Sequence, residues 1–172
     1  MRVLLDERGV AAAVERLAVD IAAAAGPAEP VGLIGIRSRG DVLAQRLQGV
    51  ATAGLADWPL GTLDITLYRD DLAEIGPNAV VRTTDIPFAV DGRLIVLVDD
   101  VIFTGRSIRA ALDAIMDLGR PRAIRLAVLV DRGGRELPIQ PDFVAARTPV
   151  PAEHVRVLLR ETDDVDRVEA GT

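Results

Sequence analysis

Two adjacent carboxylates, Asp99 and Asp100, follow an unbroken aliphatic run, Leu94 to Val98, and a short hydrophobic link leads on to Thr104, Gly105, Arg106 and Ser107. The hydroxyls, the glycine and the free amides of a helix start make a site for a phosphate monoester. The carboxylates cannot bind that phosphate. They accept hydrogen bonds from sugar hydroxyls or hold a hydrated Mg2+, which prefers oxygen ligands and keeps several waters. A sugar phosphate with vicinal hydroxyls satisfies both halves. Thr, Gly and Ser are also ordinary helix-capping residues, so it is the whole run, Leu94 to Ser107, that points to a ligand.

Elements on either side must present this segment at one edge of a sheet. Leu94 to Val98 reads as a central parallel strand covered on both faces. Ser107 to Leu118 reads as a helix with Ile108, Ala111, Leu112, Ile115 and Leu118 in one stripe, stopped by Gly119 and Pro121. Ile124 to Val130 is the next buried strand. Upstream, the periodicity predicts a helix over Val10 to Ala25, a strand over Val31 to Ile36, a helix over Asp41 to Ala51 and a strand over Leu60 to Tyr68. Arg69 to Ile86 mixes charges, glycine and proline without period, and loops longer than ~12 residues in a compact domain are usually functional, which predicts a mobile lid. This alternation predicts an α/β fold: an open, mostly parallel twisted sheet flanked by helices, with ligands beyond the carboxyl ends of its strands. A length of 172 residues suits a single domain, 1–172.

Composition removes several chemistries. Without cysteine there are no disulfides, thiolate metal sites or cysteine nucleophiles. All 20 basic residues are arginine, so a phosphate-loop lysine, Schiff-base chemistry and a lysine base are excluded, while planar forks suited to phosphate remain. No GxGxxG follows a strand, which argues against a dinucleotide enzyme. The start carries no apolar core behind a basic flank, and no later run approaches the ~18 residues that span a bilayer. A soluble, cytoplasmic protein with no membrane partner is expected. Its net charge of −6 does not attract nucleic acid as a whole, though a local arginine patch could. The one histidine, His154, lies outside every motif and reads as a surface residue.

The run LIVLVDDVIFTGRS, Leu94 to Ser107, resembles the binding signature for 5-phosphoribosyl 1-pyrophosphate (PRPP) in type I phosphoribosyltransferases. LDITLYRDDL at Leu63 to Leu72 and VLVDRGGRELPI at Val128 to Ile139 narrow the resemblance to the PyrR family, pyrimidine operon attenuators with uracil phosphoribosyltransferase activity. GIRSRG at Gly35 to Gly40 and ALDAIMDLGRPRAI at Ala111 to Ile124 extend it over roughly Val31 to Phe143, while the N-terminal helix and the tail match poorly. The resemblance implies the type I fold with a flexible hood at about 68–86, a reaction of uracil with PRPP and Mg2+ giving UMP and pyrophosphate, and a homo-oligomer.

It also implies residue roles. Asp99 and Asp100 would meet the ribose hydroxyls and, through water, the Mg2+ carried by PRPP; Val101, Ile102, Phe103, Thr104, Gly105, Arg106 and Ser107 would wrap the 5′-phosphate. Ser38, Arg39 and Gly40 would form the pyrophosphate loop, with Arg39 catalytic alongside the two acids, and Arg69 or Arg82 would reach the leaving group. Arg132 would line the base pocket; Gly134 stands where the family usually has histidine. The regulatory half implies leader mRNA bound in the presence of UMP or UTP, with Arg122, Arg135 and Arg147 as its contacts here, joined by Arg120 and Arg125. Gln140 and Ala146 replace basic residues common in relatives. Two other readings compete: a nucleotide-sensing RNA regulator with vestigial activity, and transfer to another base.

Overall fold

The computed structural model describes residues 1–79 and 83–172. In chain order the elements are β1 (Arg2–Leu5), α1 (Glu7–Ala24), β2 (Val31–Ile36), α2 (Gly40–Gln48), β3 (Leu60–Leu63), α3 (Leu72–Ile75), β4 (Leu94–Ile102), α4 (Arg106–Leu118), β5 (Ala123–Asp131), β6 (Phe143–Arg147), β7 (Val155–Leu158), α5 (Arg160–Asp163) and β8 (Arg167–Ala170). Five strands form one sheet in the order β3-β2-β4-β5-β6, and every pairing in it is parallel.

Strand alternation sorts the core into two layers. Val31, Leu33, Val96, Val98, Ala127 and Leu129 face α1 and α2. Ile34, Ile36, Ile95, Leu97, Leu126 and Val128 face α4, meeting Ile108, Ala111 and Ile115 of the predicted stripe. Helices thus cover both faces, as the aliphatic β4 run requires.

Several boundaries move. Helix α1 begins a turn earlier than Val10 because the Asp6 carboxylate accepts from the Gly9 amide at 2.8 Å and caps it. The expected strand Leu60 to Tyr68 stops at Leu63: Asp64 Oδ1 accepts from the Thr66 amide (3.0 Å) and hydroxyl (2.6 Å), and this local turn outcompetes the ladder. The segment expected to be a mobile lid contains α3, a short turn at Gly76–Asn78 and, at Asp85, an antiparallel bridge to Thr62. Strand β4 does not end at Val98. It continues to Ile102, which pairs with Asp131, so both acids lie within the strand.

A second sheet was not anticipated. The chain ends form an antiparallel β1-β8-β7 sheet whose Val155, Val157, Val168 and Ala170 join the α1 and α2 side of the core. No described helix is long and apolar enough to cross a membrane.

Candidate active site

The loop between β2 and α2 is set against β4 by close backbone packing. A Cβ on Gly40 would lie 2.5 Å from the Val98 carbonyl oxygen and 3.1 Å from Asp99 Cα; one on Gly35 would lie 2.4 Å from the Gly40 carbonyl oxygen. Only glycine permits this approach, which brings Ser38 and Arg39 beside the two acids. Arg39 has φ 74°, a conformation that costs a non-glycine residue of order 1 kcal/mol. Its guanidinium donates side-on to Asp163 of α5, from Nε at 3.1 Å and Nη2 at 2.7 Å. That pair holds the Asp163 carboxyl below its ordinary range, helped by the Leu159 amide. Arg37 ties the loop to the hood by donating from Nε to the Thr83 carbonyl (2.9 Å) and from Nη2 to Thr62 Oγ1 (3.2 Å).

Asp99 is only 6% exposed. Burial, reinforced by the neighbouring Asp100 charge, pushes its carboxyl well above the usual carboxylate range. Asp100 is half-buried, and burial raises it too, opposed by its hydrogen bonds with Asp99 and the Val101 amide and by the charge of Arg39. The Asp100 amide donates to Asp99 Oδ1 at 2.9 Å, and the Val101 amide to Asp100 Oδ1 at 2.8 Å. With both carboxylates partly committed and raised, Asp99 holds the proton longer and Asp100 is the better anion.

Helix α4 starts at Arg106, whose amide donates to Thr104 Oγ1 at 3.2 Å; the Ser107 and Ile108 amides that follow precede the first intrahelical bond, from Arg109 to the Gly105 carbonyl. The Thr104 carbonyl accepts from the Glu136 (2.9 Å) and Leu137 (3.2 Å) amides, which fixes the loop that precedes it. Four adjoining clefts surround these groups. One of about 250 Å³ takes in Ser38, Asp64, Thr66, Asp99, Asp100 and Ser107. One of about 140 Å³ is enclosed by Val101 to Gly105, Ser107 and Ile108. A third, about 210 Å³, lies between Thr104, Arg106 and Ser107 and the hood residues Arg69, Asp70 and Asp71. The largest, about 680 Å³, runs from Asp100 and Arg39 to β7 and β8. Ser107 borders three of them, the position a hydroxyl needs to meet a phosphate ester.

Of the residues singled out from the sequence, Ser38, Arg39, Gly40, Asp99, Asp100 and Val101 to Ser107 are thus brought together. Arg82 lies outside the described residues. Arg69 pairs with Asp71 (2.6 Å), and Arg106 reaches Asp70 (2.7 Å) across to the hood. Arg132 borders neither cleft that reaches Asp100. Its guanidinium stacks on Phe103, 3.9 Å from the ring centroid, and donates to the Ala152 carbonyl. Gly134 makes room for that ring: a Cβ there would lie 2.4 Å from it, so the missing histidine and the Phe103 stack go together. His154 is exposed, as expected, though it does border the largest cleft.

Of the arginines expected to contact RNA, Arg122, Arg135 and Arg147 pair with carboxylates of the protein. Arg135, with its side chain 13% exposed, bonds the Phe103 and Ile139 carbonyls and Asp131 (2.8 Å), and so braces the loop that leads into α4. Arg147 is exposed but also bonds Asp131 (2.6 Å), and Arg122 pairs with Glu29. Asp131, 5% exposed at the end of β5, is therefore a hub that also accepts from the Gly133 amide at 2.9 Å. Asp131→Ala is expected to lower stability by ~2 to 3 kcal/mol, since charge-assisted bonds are lost and Arg135 is left enclosed without its anion; urea unfolding measures it.

A parallel sheet that sets two acids beside a helix N-terminus and an arginine loop is the arrangement of a type I phosphoribosyltransferase. The sequence matches the phosphoribosyl transferase domain family over residues 3–161. It is 50% identical over 167 residues, 96% of this chain and 92% of the relative, to the bifunctional protein PyrR of Pelotomaculum thermopropionicum. It is 55% identical over 162 residues to that of Chloroflexus aurantiacus, covering 91% and 87%. The chain belongs to the bifunctional PyrR family. Its fold superposes on a hypoxanthine-guanine phosphoribosyltransferase of Bacillus anthracis with a TM-score of 0.75, at 17% identity and covering 100% and 98% of the two chains, a likeness of fold.

Proposed function

We propose that the chain transfers the phosphoribosyl group of PRPP to uracil, giving UMP and pyrophosphate, and uses bound uridine nucleotide to control its affinity for pyrimidine leader mRNA. The observation that carries the enzymatic reading is the convergence of Asp99, Asp100, the Ser38 to Gly40 loop and the N-terminus of α4 on connected clefts. In this reading Thr104, Ser107 and the first α4 amides hold the 5′-phosphate. Asp100 accepts from the ribose hydroxyls, and Arg39 faces the pyrophosphate. The base occupies the cleft under β7, against Val157 and Leu158, rather than a pocket at Arg132.

The donor set suits Mg2+ that arrives with PRPP: two carboxylates side by side, and among the described residues no cluster of three or more His, Asp or Glu that would make a protein cage. When bound, the ion offsets charge on the departing pyrophosphate. The protein's own part is to orient ribose and phosphate and to place arginine where negative charge develops, which needs no nucleophile.

Pyrophosphate release from PRPP and Mg2+ should depend on uracil, with hypoxanthine, adenine and orotate near background. Turnover with another base instead would reassign the substrate. Silence with every base, together with UMP-dependent retention of leader RNA, would favour the nucleotide-sensing regulator.

A further inference from the structure

The diphosphate-side helix α2 is clamped to the tail of the chain by two arginines one heptad apart. Arg39 at its start holds Asp163, while Arg46 in its last turn holds Glu161 (2.9 Å) and Asp166 (2.7 Å). All three carboxylates sit in or just after α5, the segment that joins β7 to β8. Arg46 touches nothing in the substrate clefts, but Arg39 and Asp163 both line the large cleft that reaches Asp100.

The geometry assigns to Asp163 a positioning role in PRPP binding: it fixes the plane of the Arg39 guanidinium so that its unused edge faces the pyrophosphate. This inference rests on the phosphoribosyl-transfer reading. A guanidinium has five N–H donors in a rigid fork. Asp163 takes Nε and one proton of Nη2, which leaves three protons; one on Nη1 and the second on Nη2 form an end-on pair for a bidentate phosphate contact. Asp163 is itself held, because its Oδ2 also accepts from the Leu159 amide at 2.9 Å. Besides Asp163, the carboxylate that acts on the Arg39 charge is Asp100, which shares the cleft. Without Asp163, Arg39 would collapse onto the carboxylate needed for ribose. Asp163 thus keeps both groups available, and because α5 continues directly from β7, the wall proposed for the base is joined to the arginine proposed for the pyrophosphate.

The test compares Asp163→Asn with Arg46→Gln, which loosens the same clamp without touching Arg39. Asp163→Asn is expected to raise the KM for PRPP, and the Kd for Mg-PRPP by calorimetry without uracil, about tenfold, the scale of one oriented charge-assisted contact. KM for uracil should stay close to wild type. Arg46→Gln should lower the Tm and leave both KM values unchanged. Asp163→Ser, whose hydroxyl can still accept from Leu159, is a second variant with the same expected PRPP-specific loss should the first not fold. An unchanged PRPP KM in the Asp163 variants, or equal losses for both substrates matched by Arg46→Gln, overturns the positioning role. Wild-type protein without turnover on any base overturns the transfer reading and this inference with it.

Discussion

Asp100→Asn is expected to lower kcat/KM for uracil-dependent transfer by roughly 10²-fold or more, about 2.7 kcal/mol of lost transition-state stabilisation. Asp100 borders both clefts that meet at the end of β4, and one of its oxygens is used by the Val101 amide. Asparagine keeps one carbonyl oxygen for that amide. It replaces the other acceptor by an NH2 donor, which meets a ribose hydroxyl donor-to-donor. It also removes the negative charge that faces a sugar carbon becoming electron-poor as pyrophosphate leaves. Folding should not suffer, because the lost charge is one that burial disfavours. The decisive comparison is steady-state kinetics beside thermal unfolding: activity near wild type would mean that this carboxylate does not meet the ribose, whereas lost activity at an undiminished Tm supports the assignment.

The parts of this site that were legible in the sequence are those where one local rule dominates. The aliphatic run into Asp99 and Asp100 required a central strand, and Gly105 before a clean apolar stripe required a helix start; both are found, displaced by a few residues at most. The strand proved longer than its hydrophobic run because ladder pairing with β5, not side-chain character, sets where it ends. The segment after Leu63 was misread for the converse reason: an alternating pattern continues, but the Asp64 side chain supplies the backbone with a better local partner.

What the sequence hid is non-local. Asp163 lies 124 positions from Arg39, in a tail that matches the family resemblance poorly and carries no motif. The terminal sheet joins four-residue strands from opposite ends of the chain, too short for periodicity to register. Asp131 did leave a signal, since a carboxylate directly after a buried aliphatic run repeats the Asp99 pattern; in the ladder it pairs with Ile102. Nothing in RGGREL shows that the chain folds back so that Arg135 donates to the Phe103 carbonyl.

Asp99→Asn should separate stability from activity: the variant is expected to be more stable than wild type at pH 8 by about 1 to 3 kcal/mol, the scale of relieving a buried, poorly solvated charge, while transfer falls sharply. In the unfolded chain Asp99 ionises near pH ~4. In the fold, burial and the Asp100 charge raise it well above that. Between those two values the native state binds more protons than the unfolded state, so wild-type stability falls as pH rises through this window. Asp163, Glu161 and Asp166 act in the opposite sense. Their arginine partners hold them below the ordinary range, so the stability they add is present above pH ~4 and is lost as pH falls through their folded values. The substitution removes only the first effect. Its advantage should therefore vanish near pH 4 and grow toward pH 8, with the acid limb of the unfolding profile unchanged. Thermal unfolding of both proteins across that range measures it. A variant less stable at every pH would mean that the Asp100 amide bond to Asp99 outweighs the buried charge, and that the acid pair is held for structure rather than kept at a cost for its chemistry.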